Sequence, residues 1–516
     1  TVGTDNGTPR WHYGFRMPAQ FSPSEMMTTY LDSHGIHRRP LLTALALLAA
    51  GWCELDELVV TSALPRRTVQ ELLSACGSDL ESDGGRHHIR PASAEHYLAA
   101  QRPSGAEPGL LEAIAADIAG APAPLAKLDH VPATAATAAR RAQWLDSRYW
   151  LAGARLLLLG DHDLTSLAVC AIRPDLDVTV VDLDERLLGY IDSLATARGW
   201  HIRCLHADLR FGLPPAAADS SDLVFTDPPY TPDGMALFVS RAVACLRAAV
   251  DGRVIVAYGY SARQPALGLA VQQAVQRCGV VFEAILPQFH RYHGAQAIGS
   301  AADMYVLQPT ARAAKINSGT RIYTRGSSSV ESQATEGAAL DAVREFAKAQ
   351  TVDRPGWSAA IHADSLAFDL AADPGPWLAR MLLASDAERV ALLVGNNHPD
   401  LIDARSQQSL SRLLGARYQL RFHRSTPDRK HAIVLATTPR DATTSAAGEL
   451  LRRAHGKLGN IWREALITTS GGELTKRQAR ELVHQQARAA GLAEALDLRL
   501  IDLPRHQIEA VLAAVC

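Results

Sequence analysis

Arg155-Leu-Leu-Leu-Leu-Gly-Asp-His-Asp-Leu-Thr-Ser166 is the stretch on which the fold turns. Four successive leucines have no polar face and read as a strand buried on both sides, and Gly160 with its flanking acids ends that strand before a helical stretch, Leu164 to Ile172. The alternation continues outward through strand Val178-Thr-Val-Val-Asp-Leu-Asp184, helix Glu185 to Arg198, strand Ile202 to His206 and strand Asp222-Leu-Val-Phe-Thr226. Strands alternating with helices specify an α/β class with a parallel, doubly wound sheet. Further on, Gly234 to Arg247 reads as a helix, Arg253 to Tyr258 as a strand, and Ala266 to Cys278 as a helix. Val281 to Leu286 and Met304 to Leu307 read as a closing antiparallel pair.

Four of these strands end in acids: Asp161 and Asp163 after the first, Asp182 on the second, Asp208 after the third, Asp227 after the fourth. Open α/β sheets place ligands outside the carboxyl ends of their strands, and a carboxylate there must be paired or used. Asp182 lies about twenty residues beyond the first loop, the spacing of a carboxylate that grips ribose hydroxyls. Asp208 could reach an adenine amino group. In Thr226-Asp-Pro-Pro-Tyr230 the carboxylate of Asp227 can accept a hydrogen bond from an amine, while Pro228 and Pro229 hold the geometry and Tyr230 offers a ring face. The bland alternative for these residues is a strand-ending turn. The Gly-x-Gly-x-x-Gly loop of dinucleotide sites is absent and so is a P-loop. An anionic cluster of this kind prefers a cation, such as a sulfonium that carries a free amine.

Gly160-Asp-His-Asp-Leu-Thr-Ser, Val181-Asp-Leu-Asp-Glu-Arg-Leu-Leu, Asp227-Pro-Pro-Tyr-Thr and Phe289-His-Arg-Tyr-His-Gly-Ala-Gln-Ala-Ile-Gly-Ser together resemble the branched-chain polyamine synthases, or bis(aminopropyl)spermidine synthases, from about Arg39 to Thr310. The resemblance implies an N-terminal winged-helix domain and a Rossmann-like, class I methyltransferase-type catalytic domain. It further implies transfer of aminopropyl groups from decarboxylated S-adenosylmethionine to a polyamine amine, with no metal. Asp161, Asp163, Asp227 and Tyr230 would then be catalytic, and Gly160, His162, Asp182, Asp184 and Asp208 would bind the donor. Asp129, Pro228, Pro229, His290, Tyr292 and His293 would form the acceptor side and its lid.

Two positions depart from the family pattern. The family loop reads Gly-Asp-Asp-Asp where this chain has His162, and an Asp-Gln pair is replaced by Asp129-His130. Imidazole tolerates a carboxylate on the donor better than aspartate does. Intact S-adenosylmethionine, with transfer of a methyl or a 3-amino-3-carboxypropyl group to another amine, is therefore the alternative reaction. A non-catalytic regulator that senses polyamines through its winged helix is the second alternative. Either way the chemistry is an in-line displacement beside a sulfonium, and the acceptor nitrogen must first lose its proton.

The chain has 516 residues, 47% of them hydrophobic, with 52 basic and 54 acidic side chains and a formal charge of −2. That balance argues against bulk nucleic-acid binding, and no apolar run is long enough to span a bilayer. The amino terminus has no signal-peptide pattern, and the seven cysteines lack Cys-x-x-Cys spacing, so a cytoplasmic protein with reduced thiols is expected. Self-association into a homo-oligomer is left open. The domain reading is 1–100, an N-terminal arm and winged-helix-like domain; 101–127, a linker; and 128–312, the catalytic domain. A second linker at 313–338 leads to a degenerate α/β half-repeat at 339–445 and a helical tail at 446–516. In the first domain Leu64 to Leu73 reads as a recognition helix and Asp83-Gly84-Gly85 as a hairpin turn, with Arg66, Arg67 and Arg86 the candidate DNA contacts. The half-repeat rests on Arg389-Val-Ala-Leu-Leu-Val-Gly answering Arg253-Val-Ile-Val-Ala-Tyr-Gly, and on Leu366-Ala-Phe-Asp standing where the Asp227 strand would be.

Overall fold

A computed structural model describes residues 23–99, 109–313, 321–326, 328–439 and 445–515, which are mixed α/β and divide into two compact units. The first comprises residues up to 108 together with 140–154, the second residues 109–139 and 155–516.

In the first unit, helices Arg39–Ala50, Leu55–Ser62 and Arg66–Ala75 precede a hairpin of strands Leu80–Asp83 and Arg86–Ile89, to which Cys53–Glu54 adds a third strand. Gly84 and Gly85 make its turn at φ 56° and 84°, the left-handed region that glycine enters without strain. Helix Pro23–Ser33, which little periodicity announced, forms because Met27 and Tyr30 bury one turn apart in this unit's core. Residues 1–22 of the expected arm lie outside the described residues.

The second unit holds a seven-stranded sheet made of β1 (Arg155–Leu159), β2 (Asp177–Asp182), β3 (Ile202–His206), β4 (Leu223–Thr226), β5 (Arg253–Tyr258), β6 (Val280–Arg291) and β7 (Ala301–Pro309). The order is β3-β2-β1-β4-β5-β7-β6. The first five strands are parallel, and β7 runs antiparallel to both β5 and β6. Helices α1 (Thr165–Ile172), α2 (Glu185–Arg198), α3 (Pro232–Cys245) and α4 (Pro265–Arg277) connect them. Because the chain goes left from β1 to β2 and later returns to its right as β4, the carboxyl ends of β1 and β4 flank the crevice where such sheets bind ligands.

A second, four-stranded sheet follows, with β8 (Ser365–Leu370), β9 (Arg389–Gly395), β10 (Gln419–His423) and β11 (His431–Thr437) in the order β8-β9-β11-β10. Its directions repeat those of β4-β5-β7-β6: the first pair is parallel, the next two antiparallel. Helices α5 (Trp377–Ala384) and α6 (Ala404–Leu414) occupy the places of α3 and α4. Register adds detail, since Arg253 pairs with Leu223 and Arg389 with Ser365, so counting four residues on puts Asp369 at the position of Asp227. Asp369 is taken up locally, accepting from the Ala371 backbone at 2.9 Å and the Thr335 hydroxyl at 2.6 Å. The chain ends in helices between Ala446 and Val515, and one apolar core runs from Leu157 through Trp377 to Leu503. No helix among the described residues is long and apolar enough to cross a membrane.

Candidate active site

The carboxyl ends of β1, β2, β3 and β4 open into a cavity of about 490 Å³, within the roughly 300–1,000 Å³ of small-molecule sites. Asp129, Gly160, His162, Asp182, Asp208, Asp227, Pro228, Pro229, Tyr230 and Tyr292 line it, together with apolar Val181, Leu183, Ala207, Leu209 and Phe238.

Asp227 sits just past β4 and is held by two phenols. The Tyr230 hydroxyl donates to one carboxylate oxygen at 3.1 Å and the Tyr292 hydroxyl to the other at 2.7 Å, with the two hydroxyls 3.2 Å apart. Tyr292 arrives by an indirect route. The sequence places Phe289 to His293 in a loop, yet β6 continues through Arg291, because Gln288 takes a positive φ of 50° and its N–H is received by Asp303 at 2.8 Å. This bulge lets an edge strand carry Pro287 without ending. Beyond it, Ala133 bridges to Tyr292, and Thr134 donates to the Arg291 carbonyl at 2.9 Å, so the segment carrying Asp129 and His130 is fastened to the same edge. His290 instead points into the core against Phe225, with ring centroids 6.3 Å apart, and His293 is exposed; neither lines the cavity.

The acids of the first loop lie behind the wall. Asp161 accepts from the backbone of Thr165 at 2.8 Å and of Ser166 at 3.2 Å, so it holds the start of α1. Asp163 accepts from the Ala133 backbone at 2.7 Å. Burial pushes the Asp161 carboxyl up to about 7, against the opposing pull of its Ser166 hydrogen bonds. Gly160, at φ 74°, makes the turn that sends both acids inward. Asp182 does face the cavity, and it accepts from the backbones of Asp161 at 2.9 Å and Asp184 at 2.7 Å. Burial lifts its carboxyl to about 6, and these two N–H groups oppose the lift. Asp184 caps α2 and is bound by Arg186 at 2.6 Å, outside the lining.

His162 and His130, the two positions that depart from the family pattern, stack face to face with centroids 4.6 Å apart and planes within 2°. Burial, then the facing His162 ring, push His130 down to about 3, and its Nδ1 accepts from the Leu125 backbone at 3.3 Å. Burial also opposes charge on His162, but Asp163, Asp227 and the Val131 carbonyl outweigh it and raise its proton affinity. An imidazole that resists charge can stack on one whose proton affinity is raised, where two cations would repel.

Two features escaped sequence reasoning. Ile322, Tyr323, Thr324 and Arg325, inside the stretch read as a linker, line the cavity, and Thr324 binds Asp129 by backbone at 2.7 Å and hydroxyl at 2.6 Å. The pairing of an aromatic with isoleucine in a polar Ser/Thr-rich run is the signal that could have found them. Asp208 is the other: it is locked to Arg210 rather than open to a base. Among the described residues, no cluster of three His, Cys, Asp or Glu side chains is spaced to hold a metal.

Residues 110–331 match the family model for the branched-chain polyamine synthase A C-terminal domain. An uncharacterized protein of Methanocaldococcus jannaschii is 34% identical over 200 residues, 38% of this chain and 49% of that protein. The N(4)-bis(aminopropyl)spermidine synthase of Thermococcus kodakarensis is 35% identical over 127 residues, 24% of this chain and 36% of that enzyme. This chain thus spans at most about half the length of these relatives. The solved branched-chain polyamine synthase of Thermus thermophilus, in complex with N4-aminopropylspermidine and 5′-methylthioadenosine, is 20% identical, with a TM-score of 0.36 over 57% of this chain and 95% of that one. Over the segment 110–331, with its Asp-Pro-Pro-Tyr strand end, the chain is thus similar to the branched-chain polyamine synthases.

Proposed function

We propose that the cavity transfers an aminopropyl group from decarboxylated S-adenosylmethionine to an amine nitrogen of a polyamine. The observation that carries this reading is the Asp227 carboxylate, gripped by Tyr230 and Tyr292 at the edge of an acidic cavity. In the reaction the nitrogen lone pair attacks the carbon beside sulfur, the C–S bond breaks with its electrons going to sulfur, and methylthioadenosine leaves neutral. Asp227 orients the nitrogen and receives its proton; the two phenols fix the carboxylate for both tasks. Asp182 supports the reading as the acceptor for ribose hydroxyls. Asp161 and Asp163 act by building the loop rather than by touching substrate. The names of the curated relatives point the same way, toward spermidine as acceptor.

Intact S-adenosylmethionine as donor is kept as a second reading on one observation, an imidazole, His162, in the cavity wall, where, against the effect of burial, Asp163 and Asp227 raise its proton affinity. Calorimetry separates the two donors. Tighter binding of the decarboxylated donor supports aminopropyl transfer, and preference for the intact one overturns it.

The first unit fits a winged-helix module without a DNA-binding role. Arg66 is paired with Asp56 at 2.7 Å and Arg67 with Glu71 at 3.2 Å, which neutralises the first turn of the helix that would enter a groove. A reducing compartment for the protein is the reading that the buried free thiols of Cys53, Cys76, Cys170, Cys204, Cys245 and Cys278 support.

A further inference from the structure

The cavity wall beyond β3 is assembled from both sheets of the second unit. Oδ1 of Asp208 accepts from the Arg210 backbone at 3.0 Å and its Nε at 2.8 Å, and Oδ2 accepts from Arg210 Nη2 at 2.5 Å and Trp377 Nε1 at 2.9 Å. A carboxylate offers about four lone-pair sites, so Asp208 has none left for an exocyclic amine. The adenine contact expected of it is therefore replaced by a neutralised, buried ion pair, with side chains 1% and 2% exposed.

The Arg210 guanidinium is clamped between two rings, 4.8 Å from the centroid of Trp377 and 5.1 Å from that of Tyr323. Tyr323 is the cavity face of this stack, and Trp377 lies behind it. Trp377 opens α5, the helix that answers α3 in the second sheet. Its position is fixed by Asp373, which accepts from the backbones of Trp377 at 3.0 Å and Leu378 at 3.0 Å and is bound by His398 at 2.9 Å.

We infer that Trp377 is a positioning residue for the nucleoside end of the donor. The second sheet, whose own Asp369 is spent locally, contributes the indole that holds Arg210 flat, and through Arg210 it fixes Tyr323 as a stacking surface beside Asp182. This rests on reading the cavity as an adenosyl site, and it gives residues beyond 331, outside the matched family segment, a part in donor binding.

The test measures 5′-methylthioadenosine binding by calorimetry and steady-state kinetics on the full chain with Trp377→Phe, Trp377→His and Tyr323→Leu. Trp377→Phe is expected to weaken nucleoside binding about tenfold, losing one charge-assisted hydrogen bond and part of a cation–π contact. Trp377→His, which keeps an N–H donor, should recover most of the loss. The donor KM should rise with the amine KM unchanged, a split that general loosening would not produce. Tyr323→Leu, which leaves the buried ion pair intact, should weaken binding at least as much and keeps the inference testable where the tryptophan variants do not fold. Binding within twofold of the unaltered chain in Trp377→Phe or Tyr323→Leu overturns the inference while leaving the adenosyl reading in place. Failure of the unaltered chain to bind the nucleoside overturns both.

Discussion

Binding of a neutral adenosyl nucleoside should depend on pH through Asp182, because a ribose hydroxyl donates best to an ionised carboxylate. Burial lifts this carboxyl to about 6. Where only the ionised form accepts the ribose, the apparent dissociation constant scales as one plus the ratio of protonated to ionised carboxylate. At pH 5 that ratio is about ten, so 5′-methylthioadenosine should bind about tenfold more weakly than at its plateau, and at pH 7 the loss is about 10%. The sign is opposite for the stability of the unliganded protein. Asp182 and Asp161 both have folded values raised above those of an unfolded chain, so the native state takes up protons that the unfolded chain releases. Stability then falls as pH rises from about 4 through about 6 and 7, just where nucleoside affinity improves. Calorimetry between pH 5 and 8, with heats corrected for buffer ionisation, reads the first effect, and Asp182→Asn should flatten it. Affinity that stays constant over this range, or improves toward pH 5, refutes the reasoning.

Asp227→Asn should lower kcat by about 10²–10⁴-fold while nucleoside binding stays within about twofold, since the amide keeps an acceptor for a tyrosine but cannot take up the proton of the amine; turnover and calorimetry on one preparation check both. Asp161→Asn should keep fold and turnover, because an amide oxygen can still accept from the Thr165 and Ser166 backbones, whereas Asp161→Ala should lose about 1–2 kcal/mol in urea unfolding. The first unit should give no salt-dependent shift of duplex DNA at physiological ionic strength, and a shift there would reverse the reading of its paired arginines.

Much of this was legible in the residues. Aliphatic runs such as Leu156 to Leu159 can only be strands buried on both faces, and the acids that end them mark one edge of the sheet. The motif shared by Arg253 and Arg389 lies on β5 and β9, and the four strands β8-β9-β11-β10 have the order and directions of β4-β5-β7-β6 within the larger sheet. What sequence could not separate is an acid that faces a ligand from one that faces a helix start or an arginine. Asp161, Asp182 and Asp208 look alike in a strand-end pattern, yet the first holds α1, and of the two that line the cavity Asp208 is saturated by Arg210 and Trp377. Their roles depend on partners 2 to 169 residues away. The same holds for Tyr323, hidden in polar sequence until the second sheet packs beside it, and for β6, which a bulge at Gln288 carries past its proline.

The most direct test incubates the full chain with spermidine and decarboxylated S-adenosylmethionine and follows products by mass spectrometry. The account predicts an amine heavier by one or more aminopropyl groups, with one methylthioadenosine released per group, and loss of both in Asp227→Asn. Release of no methylthioadenosine, or a methylated amine formed from intact S-adenosylmethionine instead, would contradict it.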